Sequence, residues 1–331
     1  MNQNELIDFL IEEKFLNSSS VKVKSLSGGV SCEILLIDNG DKKFVLKRAL
    51  AKLKVKDEWF ADVNRNRIEQ KYIKYVADFL PEAVPNILYT NHDHCFFCME
   101  MLENGLENWK DRLLKKQIDL EYAKIAGGIM GTIHSKSAGD PIVERDFDTL
   151  NNFSELRIEP YLIKTAELHP ELKDYFYDEA KRLAAVKKCL VHGDFSPKNI
   201  LVSPERVVLL DCEVAWYGDP IFDVAFFLNH FILKALYAPD KGEEFVELSK
   251  TALKAYQLHS GNIYDREFEH LMVHLLLLLM MARVDGKSPV EYLNVEKQQK
   301  LRKFVYQELS NGTRHFETLV ARWLEAIKGF N

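Results

Sequence analysis

Three side chains near the middle of the chain have the types and spacing needed to move a phosphoryl group. "VHGDFSPKNIL" (191–201) sets His192, Asp194 and Asn199 around Pro197 in an otherwise apolar stretch. "LLDCEVAWYGDPIFDVAFF" (209–227) follows, carrying Asp211, Glu213, Asp219 and Asp223 among apolar residues. One aspartate can accept a hydroxyl proton, while an Asn and a second Asp can hold Mg²⁺ on a nucleoside triphosphate. The three oxygen-bearing side chains are Asp194, Asn199 and Asp211. A hard cation needs no imidazole, so His192 reads as a packing and hydrogen-bonding brace for the loop.

The elements around these residues must bring them together. "NILV" and "RVVLLD" read as short strands separated by Ser203-Pro204-Glu205-Arg206, which has turn composition. Pairing Val202 with Val207 places Asp211 opposite Lys198, next to Asn199, so the hairpin draws Asp194, Asn199 and Asp211 to one rim. Residues 20–48 also read as strands. "VKVKSLSGGVSCEILLID" breaks at Gly28-Gly29, and Asn39-Gly40 is a hairpin signal. With Asn39 and Gly40 as the whole loop, Asp38 faces Asp41 and Lys47 falls opposite Cys32, just beyond the Gly28-Gly29 turn. In "NRNRIEQKYIKYVADFL", Ile68, Tyr72, Tyr75, Val76 and Phe79 mark one helical face, ended by Pro81 and Pro85. "HCFFCMEML" (94–102) reads as a further buried strand. Beyond residue 103 the chain is mainly helical except around 189–211. The expected class is α+β: a small antiparallel sheet with a helix over 1–102, then a larger helical lobe over 103–331.

Composition excludes several classes. A hydrophobic content of 47% with 28% charged residues is globular, not disordered. A net charge of −6 leaves no basic excess for phosphate backbones, which argues against nucleic acid as a partner. Five scattered cysteines suit a reducing compartment, and "MNQNELIDFLIEEKF" is acidic and helical in period, unlike a signal peptide. "LMVHLLLLLMMA" (271–282) falls short of the roughly twenty residues a spanning helix needs. The expectation is a cytoplasmic protein with no membrane partner and a buried core helix at 271–282.

"HGDFSPKN" followed by "LLDCE" resembles the aminoglycoside phosphotransferase and choline kinase superfamily, whose fold is protein-kinase-like. "DCEVAWYGDPIFDVAFFL" is similar to the matching stretch of methylthioribose kinases and choline kinases. The methylthioribose kinases differ in carrying Ser where this chain has Asn199. The resemblance implies Asp194 as catalytic base, Asn199 and Asp211 as Mg²⁺ ligands and Lys47 on the nucleotide phosphates, with Glu69 as the lysine's ion-pair partner. It further implies that Met99, Glu100, Met101 and Leu102 hold the adenine through backbone groups. "LSGGVSCE", with Gly28 and Gly29, sits where the family has its phosphate-covering turn, although it matches G-x-G-x-x-G poorly. Asp223 would brace the catalytic loop, since a carboxylate buried before "VAFFL" needs donors such as the 192–194 backbone.

Other polar residues have plainer readings beside functional ones. Asp219, directly before Pro220, reads as a helix N-cap. Glu213 stands two residues past Asp211, within reach of a metal-bound water or a substrate hydroxyl. "HDHCFFC" invites a zinc reading, but Cys95 and Cys98 would point to opposite faces of a strand. Trp109, Arg157, Tyr161, His230, Arg283 and Asp285 are substrate-pocket candidates by location alone. "ARVDGKSP" (282–289) reads as a surface turn or as a pocket rim.

The expected function is a Mg²⁺-dependent kinase passing the γ-phosphoryl of ATP or GTP to a hydroxyl of a small substrate. One alternative is a catalytically silent nucleotide-binding regulator. Another is an atypical protein kinase, disfavoured by Ser196 in place of Lys and by the lack of an A-P-E-like segment. A cationic aminoglycoside would want an acidic pocket and choline an aromatic one, and the sequence leaves both open beside methylthioribose and other sugars.

Overall fold

In a computed structural model, residues 2–17, 20–26, 32–50, 64–102 and 105–328 are described. The backbone divides into two units. One comprises Met1–Leu106 with Leu210–Glu213, and the other Glu107–Leu209 with Val214–Asn331.

The first unit is built on an antiparallel sheet with strand order β1-β2-β3-β5-β4. Helix α1 (Gln3–Glu12) precedes β1 (Lys22–Ser25), β2 (Cys32–Asp38) and β3 (Lys43–Ala49). Helix α2 (Arg65–Ala77), β4 (Ile87–Asn91) and β5 (Phe96–Glu100) follow. Asn2 starts α1 by accepting the N–H groups of Asn4 and Glu5, and Glu5 returns a bond to the Asn2 N–H, a capping box. Leu6 and Leu10 then pack with Leu35, Ile37, Phe44, Leu46 and Phe96 in one core. Truncating any of these leucines to Ala costs about 2–5 kcal/mol.

The β2–β3 hairpin departs from the two-residue loop. Asp38 pairs with Lys43, so Lys47 lies opposite Ile34 and Cys32 opposite Ala49. Side chains build the longer loop: Asp38 Oδ1 accepts the Gly40 N–H, Asn39 Oδ1 accepts the Lys42 N–H, and Gly40 takes φ +88°. The shift is by two residues, which keeps Lys47 on the expected face of the sheet. Helix α2 departs further. Its buried residues are Arg65, Asn66, Glu69, Gln70, Tyr72, Ile73 and Val76, whereas Ile68, Tyr75 and Phe79 are only half-buried. Apolar periodicity misplaced the face because four polar side chains, Arg65, Asn66, Glu69 and Gln70, turn inward.

The second unit is mostly helical. Strand β6 (Glu107–Asn108) and helix α3 (Trp109–Leu114) lead to α4 (Leu120–Ser137). The short helices α5 (Pro141–Asp146), α6 (Leu150–Phe153) and α7 (Lys164–Leu168) flank a π-helical stretch, Ser154–Ile163, before α8 (Lys173–Ala185). Next come β7 (Cys189–Val191), β8 (Ile200–Val202), β9 (Val207–Leu209) and β10 (Trp216–Gly218). The chain then runs through α9 (Ile221–Tyr237), α10 (Gly242–His259), α11 (Arg266–Asp285), α12 (Val295–Ser310) and α13 (Phe316–Ile327). Strand β7 pairs with β10, and β8 lies between β6 and β9 with Val202 opposite Val207. Helix α4 crosses α10 closely: a Cβ on Gly127 would stand 2.3 Å from the Ala252 carbonyl oxygen. The run 271–282 forms the middle of α11 and is buried almost throughout. Among the described residues, no helix is long and apolar enough to cross a membrane.

Candidate active site

The first unit holds one group of site residues, centred on Lys47. Strand β3 carries Lys47 into the interior at 3% exposure, an expensive place for an ammonium unless it is paired. Two carboxylates pair it: Glu69 Oε1 from α2 at 2.7 Å and Asp211 Oδ1 at 2.5 Å. Burial pulls the lysine down, but Asp211 and Glu69 outweigh it and hold the ammonium well above the usual lysine range. Glu69 moves the other way from an ordinary ion-paired glutamate. Burial pushes it up, Lys47 only partly offsets that, and nearby Asp211 and Glu213 add to the rise, to about 7. Burial thus outweighs the pairing at Glu69, although the ion pair with Lys47 is real by distance.

Glu213 has its own cation. Its Oε2 accepts from Arg65 Nε at 3.0 Å and from the Cys32 thiol at 3.3 Å, and burial pushes that thiol up. Arg65 also donates to the Leu50 carbonyl. Glu69, Asp211 and Glu213 place carboxylate oxygens within 4.8 Å of one another, an all-oxygen donor set that suits a hard divalent cation. Asp211 adopts φ +61°, a left-handed backbone that costs a non-glycine residue about 1–3 kcal/mol and clusters at functional sites. Among the described residues, this trio is the one cluster of potential metal ligands; the zinc reading of "HDHCFFC" finds no support there. Cys95 sits in a turn at φ +51°, its thiol toward the His92 carbonyl, while Cys98 is buried on β5.

Met99 and Glu100 lie on β5, paired with Val45 and Phe44. Met101 and Leu102 follow the strand and are half-buried. Gly28 and Gly29 lie outside the described residues.

The second unit holds the loop that follows β7. Asp223, near the start of α9 and 1% exposed, accepts the N–H of His192 at 2.7 Å and of Gly193 at 2.9 Å. Behind it, His134 Nε2 lies 3.3 Å from Asp223 Oδ2, and His134 Nδ1 lies 3.1 Å from the Tyr256 hydroxyl. Gly193 has φ +75°, and a Cβ there would come within 2.6 Å of the Val214 carbonyl oxygen, so only glycine fits. His192 Nδ1 accepts the Asp194 N–H at 3.2 Å. Asn199 donates its Nδ2 to the Asp194 carbonyl at 3.0 Å, which orients the amide and keeps Oδ1 as the acceptor end.

The Asp194 carboxylate is buried and faces two cations. Arg157 Nη2 stands 2.9 Å and Lys198 Nζ 3.0 Å from Asp194 Oδ2, and Arg157 Nε donates to the Gly193 carbonyl. Arg157 comes from the π-helical stretch, whose geometry no motif announces. Lys198 is displayed by the turn over Pro197–Asn199, with its carbonyl held by Asn108 Nδ2 at 2.7 Å.

Two residues named as pocket candidates are placed differently. Trp109 is wholly buried against Tyr122, Phe227 and Phe231, so it is core and not a pocket wall. Asp285 is committed to His169 Nε2 at 2.8 Å and to two nitrogens of Arg302. Burial would raise its carboxyl, but Arg302 and His169 hold it below the usual range, which makes it a tie between helices. Both errors came from assigning pocket roles by position along the chain. Arg283 bonds the Tyr161 hydroxyl and Ser288, beside Lys198 at a small cleft. Asp219 lies one residue before the N-cap position, which Pro220 occupies; it accepts the Ile221 N–H and pairs with Arg182.

Residues 22–255 match the model of the phosphotransferase enzyme family. The methylthioribose kinase of Bacillus cereus (strain ZK / E33L) is 24% identical over 270 residues, spanning 72% of this chain and 67% of that protein. A choline kinase from Cryptosporidium parvum Iowa II superposes with a TM-score of 0.58 at 14% identity, covering 100% of both chains. An amicoumacin kinase in complex with AMP-PNP, Ca²⁺ and its ligand gives 0.57 at 14% identity, covering 95% of this chain and 97% of that one. These structures share the protein-kinase-like fold with it.

Proposed function

The chain belongs to the phosphotransferase enzyme family, and from that premise we propose that it is a Mg²⁺-dependent kinase moving the γ-phosphoryl of ATP or GTP to a hydroxyl of a small molecule. The observation that carries the reading is the buried Lys47 ammonium held by Glu69 and Asp211. A lysine so placed offers a fixed positive charge to phosphate oxygens, and a paired Glu holds it there. AMP-PNP in the amicoumacin kinase complex supports an adenine nucleotide as donor.

In this reading Asp194 accepts the acceptor's hydroxyl proton as the oxygen bonds to the γ-phosphorus and the bond from phosphorus to the β,γ-bridging oxygen breaks. The leaving diphosphate takes up the displaced charge. Asn199 and Asp211 would hold Mg²⁺, which supplies charge neutralisation on the phosphates. The donor set fits such an ion, being carboxylate and amide oxygens with no soft ligand. Asp223 holds the loop by its backbone, through the His192 and Gly193 N–H groups next to Asp194. Met99–Leu102 would receive the base through backbone groups, and Gly28 and Gly29 would serve the phosphates.

The test is a coupled ADP-release assay beside direct nucleotide titration. Asp194→Ala should lose about 10²–10⁴-fold in turnover while keeping nucleotide affinity. A variant that retains full turnover would remove Asp194 from its role as base.

A further inference from the structure

In the second unit, Lys110, Lys198, His230, Lys234, Arg283 and Tyr292 line a small cleft of about 30 Å³. Its chemistry is one-sided. Four of these side chains are cationic types, and the one carboxylate in the lining, Glu291, is taken by Lys110 at 2.5 Å. Lys234 is 1% exposed, with its Nζ 3.3 Å from the His230 carbonyl and over the Tyr292 ring at 5.2 Å. Among the described residues no carboxylate pairs it, although an unpaired buried ammonium is costly. Three further polar atoms at the cleft, His230 Nε2, Arg283 Nε and the Tyr292 hydroxyl, are buried without a hydrogen-bond partner. Buried polar atoms in folded proteins nearly always have a partner, protein or water, and three orphans around one cleft mark a place for a polar guest. Burial, with Lys110 and Arg283 adding to it, lowers Lys234 to about 7, so an anion arriving there would restore its charge.

The same cleft is tied to the catalytic loop. Lys198 lines it and also stands 3.0 Å from Asp194 Oδ2. A molecule whose hydroxyl reached Asp194 would carry its remaining groups toward Lys234 and Arg283.

We propose that this cleft is an anion subsite for the acceptor, so that the substrate is a small hydroxylated molecule bearing a carboxylate or phosphate. Lys234 and Arg283 would take the anion, with the His230 and Tyr292 side chains completing its hydrogen bonds. Cationic acceptors such as choline or an aminoglycoside would meet repulsion here. The inference rests on the kinase reading for the fate of the hydroxyl, but the anion site can be tested alone.

The experiment titrates the full-length protein by calorimetry with inorganic phosphate and with glycerate, against neutral glycerol and cationic choline. It then follows ADP release with glycerate, glycerol phosphate, gluconate and glucose 6-phosphate beside their uncharged parents. At least one anion should bind, about tenfold or more weaker in both Lys234→Met and Arg283→Met, and that binding should survive Lys47→Met, which alters the nucleotide lysine instead. Carboxylate against phosphate in the panel identifies the group. Absence of anion binding, or binding indifferent to Lys234 and Arg283, would overturn the subsite. Turnover of uncharged or cationic acceptors in preference to anionic ones would overturn it too, while leaving the kinase reading standing. Anion binding that needs Lys234 and Arg283, with no acceptor turned over and no slow nucleotide hydrolysis, would sustain the subsite and sink the kinase.

Discussion

Arg157 stands 2.9 Å from Asp194, guanidinium Nη2 to carboxylate Oδ2, with both side chains buried. The same arginine donates through Nε to the Gly193 carbonyl, so it grips the loop backbone and the carboxylate together. A planar fork of donors does this in a way a point charge cannot. Arg157 is therefore a positioning residue for the proposed base, and its removal differs in kind from removal of the base itself.

Arg157→Met should lower kcat by about 10–100-fold, roughly the worth of one or two charge-assisted hydrogen bonds, with a smaller change in the KM for nucleotide. Arg157→Lys should recover only part of the loss, because it restores charge without the fork. Steady-state kinetics separating kcat from KM, with circular dichroism to verify folding, checks this. Equal kinetics in all three proteins would show that the contact is idle.

Lys47→Ala leaves the Glu69 and Asp211 carboxylates without their shared cation. Breaking a buried pair in this way costs about 3–5 kcal/mol, so the variant should denature at visibly lower urea. Glu69→Gln, which keeps an acceptor but sheds a charge, should cost less than half of that. The double variant should be less destabilised than the sum of the two, and a urea-melt double-mutant cycle measures the coupling.

Asp223→Asn keeps the shape of the loop's anchor and removes its charge. One amide oxygen cannot serve the His192 and Gly193 N–H groups as two carboxylate oxygens do. Stability should fall by about 1–3 kcal/mol, and amide exchange at His192 and Gly193 should quicken. Unchanged protection at these two amides would mean that the anchor is not what holds the loop.

Lys234 gives the molecule a pH dependence with a definite sign. Unfolded, its amine stays charged to about the ordinary value of 10.5; folded, burial and the facing Lys110 and Arg283 cations lower it to about 7, against Glu291, which raises it. His230, also at the cleft, is held well below its usual range by burial and then by Lys234 and Arg283. Between these two lysine values the unfolded chain binds more protons than the folded one, so Lys234 adds stability as pH rises through that window. The advantage of Lys234→Met over the natural protein should be largest below pH 7 and shrink as pH climbs toward 10. Paired thermal melts across pH 6–9 measure it, and a constant difference would refute it.

Much of the loop that carries Asp194 is legible in the chain itself. Its hairpin register follows from two apolar strands and a turn, since strand pairing repeats every two residues and Val202 meets Val207. A carboxylate placed before "VAFFL" had to be buried, and buried carboxylates need donors, so the bonds from His192 and Gly193 to Asp223 follow from local physics. The β2–β3 loop was less legible because Asp38 and Asn39 could spend their side chains on the backbone, and that choice moved the register by two. Helix α2 misled in a different way. Apolar spacing reports a hydrophobic face, but here the buried face carries Arg65, Asn66 and Glu69, each answered by a partner distant in sequence, and Gln70, which bonds Asn66 one turn back.

Chain order alone determined the residue types of the chemistry, the sheet-then-helices architecture and the loop that presents Asp194. The tertiary structure decided which charges answer one another: Arg65 with Glu213, Arg157 with Asp194, and the unanswered Lys234 beside Arg283. Secondary structure arises from neighbours a few residues apart, whose periodicity can be read directly. An ion pair depends on two side chains reaching the same few ångströms from different elements, and no local period records that meeting.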